Sequence, residues 1–547
     1  MRLLVILPWL SALAAGLPAQ IQTGSMTGLH TGDQFGATIV PFYDHDGDGT
    51  VDILVGCTGW DNGTATNAGR VELRSGRTGA LLRTNNGTNT NDYFGSSLAV
   101  LDDLNGDGVP EYLVGVPYAD NGGPDSGAIK VFSGRTGALL FNRFLQENNA
   151  QLGTCVVALP DIDQDGIGDY AASAPHNTNS FPLGRLYYFS GLTGNVISYR
   201  TGFSSAGLYA TSLAVVGDVD GNGTEDLVVG SPYEVLPQTP GAGIVEVISL
   251  GNLQRVLTLN GTGYQSHYGA AVAALGDLDG DGRAEFAIGI PDGGFGSVDI
   301  MRGNGTRFRW HLGSASGTRY GLAVSSVGDV DFDGVPDYAI GEPLASGHGD
   351  MFVYSGSGGA EIAHLTAGSS GAYWGRTIAL VGDTNQDHFA EFAISMPNQG
   401  NGELRLFSLT KSPSFSVFGS SCGINPAGPS LGLNSGGRVG ALLELRPDTT
   451  PIGSGLGVAI FGWSNTVSQG VPLPLSLAPN GLPGCQLLVA PDLVFGTIQS
   501  HVRSVVSLMI PQVPELVGQW LFAQYALFHA GGVAFTDGMG VRFGTPF

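Results

Sequence analysis

Residues 94–117 read FGSSLAVLDDLNGDGVPEYLVGVP, and this unit decides the fold. It opens on an aromatic residue and a glycine, continues through a short apolar stretch, and reaches an acidic loop nine residues after Phe94. The same offset recurs at seven places, with anchors at Phe35, Phe94, Leu152, Tyr209, Tyr268, Tyr320 and Trp374 and loops beginning at Asp44, Asp103, Asp161, Asp218, Asp277, Asp329 and Asp383. Successive anchors lie 52 to 59 residues apart. Such a period is typical of an array of structural repeats that bury their faces against their neighbours.

The second repeat shows how one unit should fold. Its apolar stretches predict strands over residues 94–101, 111–115, 128–132 and 138–141. The last two strands are joined by residues 133–137, Ser-Gly-Arg-Thr-Gly, whose glycines suit a tight reversal. Four antiparallel strands in each of seven units predict an all-β fold in which residues 20–411 form a seven-bladed β-propeller.

Closure of the ring depends on the two ends of this region. The seventh repeat reaches its third strand at residues 403–407, and the pattern then stops. Residues 20–24 lie where a fourth strand would precede the first anchor, with Ile21 as the apolar residue. We therefore predict that they complete the last blade.

Each acidic loop has the pattern of a calcium-binding turn. Ca²⁺ takes about six to eight oxygen ligands, which alternating Asp and Asn supply from one turn, with a glycine where the chain bends sharply. The carbonyl of loop position 7 is a further expected ligand. Loop positions 1, 3, 5 and 9 give the predicted metal-ligating residues: Asp44, Asp46, Asp48, Asp52; Asp103, Asn105, Asp107, Glu111; Asp161, Asp163, Asp165, Asp169; Asp218, Asp220, Asn222, Asp226; Asp277, Asp279, Asp281, Glu285; Asp329, Asp331, Asp333, Asp337; Asp383, Asn385, Asp387, Glu391.

The alternative interpretation of one such loop is an Asx-rich turn without metal. Seven loops in one register, each clustering like charges, favour Ca²⁺ and predict up to seven ions. An EF-hand is a poorer match because its loop runs to a Glu at position 12 and is flanked by helices. The seventh loop departs from the pattern, since His388 stands where the others have glycine.

The composition agrees with metal binding. The net charge is −24, from 23 basic and 47 acidic residues, and 25 of the 28 predicted ligands are Asp or Glu. More than half of the acidic residues therefore lie in the loops. No basic stripe is present to neutralise phosphates, so a nucleic-acid partner is not expected.

The repeats resemble the FG-GAP family, found in the head of integrin α subunits and in many secreted bacterial proteins. The resemblance covers about residues 20–410 and rests on the Phe-Gly pairs at Phe35 and Phe94, the acidic loops, and the Gly-x-Pro motif after the second strand, as at Gly115, Gly230, Gly289 and Gly341. It implies a propeller fold but does not identify a ligand. Unlike integrins, which carry such loops in only some blades, all seven repeats carry one here.

The two ends of the chain predict export and a second domain. Arg2 precedes an apolar stretch over residues 3–17, which is typical of a signal peptide at residues 1–19. A membrane anchor is the alternative, but the stretch is short and Pro8 interrupts it. No later segment predicts a membrane span, so we expect a secreted or cell-surface protein. Residues 412–547 alternate apolar runs with Gly and Pro turns, which predicts a small β-sandwich.

Cysteines and aromatic residues add further expectations. Cys57 and Cys155 are interpreted as buried thiols, whereas Cys422 and Cys485 could form a disulfide in an oxidising compartment. In the C-terminal region, Trp463, Trp520 and Tyr525 are either core residues or a platform for a sugar.

The pattern favours a ligand-binding function over catalysis. The loops between strands two and three vary most and lie on the face opposite the acidic loops, where they carry Trp60, Tyr118, His176, Phe181 and Tyr233. No metalloprotease, nucleophile-elbow or Walker motif is present, so we assign no catalytic residue. We expect a calcium-binding extracellular ligand-binding or adhesion module whose partner is a glycan or a protein. A propeller-based polysaccharide lyase or hydrolase and a structural cell-surface component are the alternatives.

Overall fold

The computed structural model describes residues 19–410 except 177–182, 205–207, 237–238, 332, 367–372 and 387–389, and beyond residue 410 it describes only the backbone of the strands. The chain divides into two compact units, and Gln20–Leu409 forms one of them. This unit contains seven four-stranded antiparallel sheets, arranged as the blades of a propeller. The predicted all-β, seven-bladed fold is confirmed.

The blades follow the repeats in order. Blade one contains β2 (Phe35–Pro41), β3 (Ile53–Cys57), β4 (Arg70–Arg74) and β5 (Leu81–Asn86); blade two β6 (Ser97–Val100), β7 (Tyr112–Val116), β8 (Ala128–Phe132) and β9 (Leu139–Phe144); blade three β10 (Val156–Leu159), β11 (Asp169–Ala174), β12 (Arg185–Phe189) and β13 (Val196–Thr201); blade four β14 (Ser212–Val216), β15 (Asp226–Ser231), β16 (Ile244–Ser249) and β17 (Arg255–Asn260). Blade five contains β18 (Ala271–Gly276), β19 (Glu285–Ile290), β20 (Ser297–Met301) and β21 (Arg307–Leu312); blade six β22 (Ala323–Gly328), β23 (Asp337–Glu342), β24 (Asp350–Tyr354) and β25 (Glu361–Thr366), with a 3₁₀ turn at Ala345–Gly347; blade seven β26 (Ile378–Gly382), β27 (Glu391–Met396) and β28 (Glu403–Thr410).

The ring closes through the N-terminal strand β1 (Ala19–Thr27), which lies beside β28 as the fourth strand of blade seven. Met26 on this strand is 5% exposed and packs in one cluster with Leu404 and Leu406. The first strands of neighbouring blades contact one another around the whole ring, including β2 against β26. The predicted closure by the N-terminal segment is confirmed.

Blades pack face to face through apolar residues of their inner strands. The second strand of each blade is almost wholly buried, and in the interface of blades one and two Leu54 and Leu73 meet Phe94 and Val114. Glycines let these blades approach closely: a Cβ on Gly56 would lie 2.4 Å from the carbonyl oxygen of Gly95. The glycine of a Gly-x-Pro motif makes the same contact with the glycine that follows the next anchor, since a Cβ on Gly115 would lie 2.1 Å from the carbonyl oxygen of Gly153.

The strand bounds differ from the prediction at the anchor. The first strand of blade two begins at Ser97 and not at Phe94, because Tyr93 and Gly95 have φ of 51° and 91° and form a left-handed turn. The third strand, Ala128–Phe132, matches the prediction. Cys57 is buried as expected, whereas Cys155 is only half-buried.

The C-terminal strands form their own sheets. They are β29 (Ser414–Phe418), β30 (Ser430–Leu433), β31 (Leu442–Asp448), β32 (Gly455–Gly462), β33 (Val467–Ser468), β34 (Val471–Pro472), β35 (Leu475–Ser476), β36 (Gln486–Leu487), β37 (Leu493–Gln499), β38 (Val506–Met509), β39 (Trp520–His529), β40 (Gly532–Phe535) and β41 (Gly538–Arg542). A six-stranded sheet holds β29, β41, β39, β32, β37 and β40, and a three-stranded sheet holds β30, β31 and β38. The pairs β33–β34 and β35–β36 stand alone. The sandwich packing stays a prediction, and Cys422, Cys485 and Trp463 lie outside the described residues.

Candidate metal centres and the entry ring

The acidic loops wrap around their first carboxylate. In the first loop, Asp44 accepts hydrogen bonds from the backbone amides of Gly47 (2.7 Å), Asp48 (3.1 Å) and Gly49 (2.8 Å). Gly47 and Gly49 have φ of 78° and 85°, so the fourth and sixth loop positions are left-handed. Gln164 takes the fourth position of the third loop with φ of 63°. This repeated turn points the side chains of alternate residues toward a common centre.

Carboxylates converge in these loops as the sequence predicts. In five loops, three acidic side chains bring one oxygen each to within 4.8 Å of one another: Asp44, Asp46 and Asp48; Asp103, Asp107 and Glu111; Asp161, Asp163 and Asp169; Asp218, Asp220 and Asp226; Asp277, Asp279 and Glu285. In the sixth loop, Asp329 accepts the amides of Asp333 (3.0 Å) and Gly334 (2.8 Å). Asp387 of the seventh loop lies outside the described residues.

The acid at loop position 9 is buried and supports the loop from below. In every blade one of its oxygens accepts the amide of loop position 2: His45 to Asp52 at 2.7 Å, Leu104 to Glu111 at 2.5 Å, Ile162 to Asp169 at 2.8 Å, Val219 to Asp226 at 2.9 Å, Leu278 to Glu285 at 2.7 Å, Val330 to Asp337 at 2.8 Å and Thr384 to Glu391 at 2.8 Å. A second oxygen of Asp52, Asp169 and Asp337 accepts an amide from the turn between strands three and four. This acid thus joins the loop to the rest of its blade.

The position-9 acids of blades four and five show whether a cation fits the acidic loops. Oδ1 of Asp226 and Oε1 of Glu285 are buried and have no hydrogen-bond partner among the described residues. A buried carboxylate oxygen without a partner is costly unless it is protonated or meets a cation. All the converging groups are oxygens, which suit a hard cation such as Ca²⁺ or Mg²⁺. The residues therefore fit a divalent cation held by oxygen ligands.

Burial raises the pKa of the acids at loop position 9. The pKa of Asp52 and Asp226 rises to about 6 and that of Glu285 and Asp337 to about 7. At loop position 1, by contrast, the backbone amide of Gly108 and its neighbours lower the pKa of Asp103. In the second and fourth loops a position-1 carboxylate with a lowered pKa, Asp103 or Asp218, is thus combined with a position-9 acid with a raised pKa, Glu111 or Asp226, which gains from a nearby positive charge.

The metal-free protein is expected to become more stable as the pH falls from 7.5 to 5.5. The folded-state pKa of Asp52, Asp226, Glu285 and Asp337 lies above the unfolded value. The folded state therefore binds more protons than the unfolded state in this window, and stability declines as the pH rises. Thermal unfolding with a chelator checks this slope, and a melting temperature that rises with pH would contradict it. With calcium present the slope should flatten or reverse, because the ion displaces those protons.

The turns between strands three and four lie beside the acidic loops, as strand parity predicts. Nε of Arg302 donates to Oδ2 of Asp279 at 2.7 Å, Nε of Arg135 lies 3.4 Å from Oδ1 of Asp107, and Oγ of Ser190 donates to Oδ2 of Asp165 at 3.2 Å. Loops and turns therefore share one face of the propeller. The connections between strands two and three and between blades lie on the other face.

On that second face the residues that precede the anchors form a ring, which we call the entry ring: Gln34, Tyr93, Gln151, Leu208, His267, Arg319 and Tyr373. All seven have a left-handed backbone, with φ between 45° and 60°. Such a conformation is uncommon outside glycine, and strain of this kind clusters at functional sites. Because each residue lies within five residues of the start of a first strand, the ring surrounds the second-face end of the inner strands.

Residues next to the entry ring add a carboxylate and an aromatic ring to its side chains. Nδ1 of His267 lies 2.7 Å from Oδ2 of Asp292, and the ring centre of Tyr233 lies 4.5 Å from that of His267. Nε of Arg319 lies 3.3 Å from Oδ1 of Asp292. Sequence reasoning named only Tyr233 of this group. The ring could have been found in the sequence, because each of its members directly precedes an anchor and the anchors recur regularly.

The predicted aromatic residues of the second face divide into two groups. Tyr118 and Tyr233 are 39% and 43% exposed, as a binding surface requires. The expectation for Trp60 is wrong: it is 7% exposed, packs in the interface of blades one and seven, and lies 4.0 Å from the guanidinium carbon of Arg70. The indole of Trp60 turns inward because the interface between blades one and seven offers it a buried position. His176 is half-buried, and Phe181 lies outside the described residues.

Comparison with known proteins agrees with the repeat geometry. The FG-GAP repeat model matches residues 94–132 and 209–247, so each match begins at an anchor and ends in the third strand of a blade. The chain carries FG-GAP repeats. Both matched FG-GAP repeats include an acidic loop and its position-9 acid, which is the part of the blade that holds the carboxylate cluster.

Integrin α chains are among the relatives of these FG-GAP repeats. Integrin alpha-PS2 of Drosophila melanogaster is 31% identical over 164 residues, covering 26% of this chain and 11% of that protein. Integrin alpha-V of Gallus gallus is 28% identical over 205 residues, covering 34% of this chain and 19% of that protein. Integrin alpha-11 of Homo sapiens is 30% identical over 157 residues, covering 26% and 13%. The chain thus spans less than a fifth of the length of these relatives.

Proposed function

We propose that this chain is a secreted or cell-surface, calcium-binding FG-GAP propeller that acts as an extracellular ligand-binding or adhesion module. In this proposal residues 1–19 are a signal peptide, 20–411 the propeller and 412–547 a β-sandwich. Up to seven Ca²⁺ ions are held by the loop residues from Asp44 to Glu391. No helix in the described part of the chain has the length and hydropathy needed to cross a bilayer.

The calcium proposal rests on the convergence of loop carboxylates. Ions at these sites would neutralise the clusters and hold each loop in the conformation that the position-9 acid supports from below. The metal-ligating side chains then stabilise the propeller and do not contact an external ligand. Ligand binding is left to the opposite face, where a rigid frame presents varied side chains.

The entry ring is the observation that carries the binding proposal. Its seven members occupy equivalent backbone positions yet differ in chemistry, with two Gln, two Tyr, a Leu, a His and an Arg. A cavity of about 520 Å³ opens beside its last members, lined by Arg319, Leu344, Tyr373 and Arg376. Tyr373 and Leu344 are 41% and 38% exposed, and Arg376 is exposed as well. The exposed guanidinium of Arg376 beside an exposed aromatic ring suits an anionic group on a glycan or protein.

Replacement of Arg376 by Glu is expected to abolish binding while leaving the melting temperature nearly unchanged, because Arg376 is an exposed residue. The measurement uses calcium-loaded protein and an immobilised panel of sulfated polysaccharides, uronate polysaccharides and extracellular matrix proteins. Tyr373→Ala should weaken the same binding. Phe144→Ala, which removes a 39% exposed aromatic ring from an outer strand, is the matched control. Binding that survives both the Arg376→Glu and the Tyr373→Ala substitution would refute this assignment.

A second candidate function is suggested by the cluster of Tyr233, His267, Asp292 and Arg319. A His–Asp pair with a nearby Tyr and Arg contains the groups that proton transfer on an acidic sugar requires. The same panel tests it: a uronate polysaccharide that is cleaved, and cleaved no longer by His267→Ala, would make the protein a lyase or hydrolase. Binding without cleavage would leave the adhesion proposal in place.

A further inference from the structure

We propose that a cavity between blades four and five binds a neutral sugar residue. The cavity is lined mainly by the third and fourth strands of blade five, and neither a predicted metal ligand nor a member of the entry ring is part of its lining, so this inference does not depend on the proposed function. It rests on a comparison of equivalent positions in the two neighbouring blades.

In blade four the middle of the third strand carries Glu246, which fills the space toward blade three. Glu246 is 1% exposed and accepts a hydrogen bond of 2.7 Å from the hydroxyl of the anchor Tyr209. Nη2 of Arg200 lies 3.7 Å from Oε1 of Glu246, and Nε of Arg255 bonds the same oxygen. The carboxylate, the tyrosine and the two guanidiniums therefore satisfy one another.

Blade five carries Asp299 at the equivalent position, opposite Ile288 on one side and Trp310 on the other. The side chain is one methylene shorter than that of Glu246. Within the described residues, the hydroxyl of the anchor Tyr268 has no hydrogen bond to match that of Tyr209, and the ion pair of Asp299 is with Arg307, at 3.3 Å. The shorter acid thus leaves polar groups without the direct contacts that close blade four.

The space left open is a cavity of about 570 Å³. Its lining includes Asn260, Ser266, Tyr268, Asp299, Arg307 and Trp310. This volume lies within the range of small-molecule sites, which is roughly 300–1,000 Å³. Asp299 is 8% exposed and Tyr268 is 7% exposed, so both polar groups are nearly enclosed, whereas Trp310 is 55% exposed at the rim.

These groups match the chemistry of a pyranose ring. The carboxylate accepts from sugar hydroxyls, the guanidinium and the tyrosine hydroxyl donate to them, and an exposed indole face packs on the C–H side of the ring. The charges of Asp299 and Arg307 cancel, so the site does not favour an anion. A neutral hexose or N-acetylhexosamine therefore fits better than an acidic sugar.

Replacement of Asp299 by Glu is the decisive test, because it rebuilds the closed arrangement of blade four inside blade five. Saturation-transfer NMR on the calcium-loaded full chain would use the methyl glycosides of glucose, galactose, mannose and N-acetylglucosamine. We expect at least one glycoside to bind the native protein, and D299E and Trp310→Ala each to weaken it by at least about tenfold. D299E should keep or raise the melting temperature, since the longer side chain reaches Tyr268.

The controls separate this site from the entry ring. Tyr118→Ala removes an exposed ring elsewhere and should leave glycoside binding unchanged, as should Arg376→Glu. Absence of binding by all four glycosides would overturn the proposal, and so would binding that D299E leaves intact. Loss of glycoside binding in Arg376→Glu alone would place the sugar in the cavity beside the entry ring and overturn the proposal too.

Discussion

Removal of calcium with a chelator is expected to lower the melting temperature of the propeller by at least about 10 °C. A site filled at a hundred times its Kd contributes about 2.7 kcal/mol, and several such sites add. One kcal/mol shifts the melting temperature by roughly 2–4 °C in domains of 150–250 residues and by less in larger ones. Without the ion, three or four carboxylates repel one another in each loop at close range. Thermal unfolding followed by circular dichroism measures the shift.

A matched pair of variants assigns this effect to the loops. Glu285→Gln removes the charge of a buried position-9 acid whose second oxygen has no partner among the described residues. Glu225→Gln removes an exposed charge of the neighbouring loop that is not a predicted ligand. We expect the first to reduce the stabilisation by calcium and the second to preserve it. Equal behaviour of both variants, or identical melting with and without chelator, would sink the calcium assignment.

Changes in the N-terminal strand should have the second large effect on stability. Met26→Ala is expected to lower the free energy of unfolding by about 2–5 kcal/mol, because the side chain is buried against the other strands of blade seven and its truncation leaves a cavity. The strand is also held by the amide of Gly28, which donates to the carbonyl of Gly402 at 3.1 Å, and by Nδ2 of Asn401, which donates to the carbonyl of Gly28 at 3.1 Å. Urea unfolding gives the free energy directly.

Ser25→Ala on the same strand is the control, since Ser25 is exposed and should change stability by less than about 0.5 kcal/mol. Deletion of residues 20–27 should go further and leave β28 as an open sheet edge that promotes association between chains. A deleted protein that stays monomeric and unfolds like the native one would show that the ring does not depend on this strand.

Much of the fold is predictable from the sequence because one repeat carries several independent signals in a fixed order. The anchor, the acidic loop and the Gly-x-Pro motif each reflect a local requirement, such as the contact of Gly115 with Gly153 between blades. Closure by residues 20–24 follows from counting strands, and the structure confirms it. The start of the first strand of blade two was missed because the left-handed turn at Tyr93 and Gly95 is a property of backbone angles.

The binding surfaces are less predictable, since they depend on contacts between repeats. Trp60 looks like a loop aromatic but is buried, because burial is decided by its neighbours in blade seven and by Arg70. The His267–Asp292 pair joins residues from two connections whose proximity appears only when blades are placed side by side. The same holds for the gap left by Asp299, which is visible only beside the closed arrangement of Glu246.

Calorimetric titration of the chelator-treated full chain with CaCl₂ tests the central claim most directly. We expect saturable binding of between five and seven calcium ions per chain, because five loops show converging carboxylates and the other two carry Asp, Asn or Glu at the same ligand positions. MgCl₂ should bind more weakly, because Mg²⁺ demands a stricter octahedral geometry and dehydrates reluctantly. Four bound ions or fewer, or no binding at all, would contradict a propeller whose blades are each held by calcium.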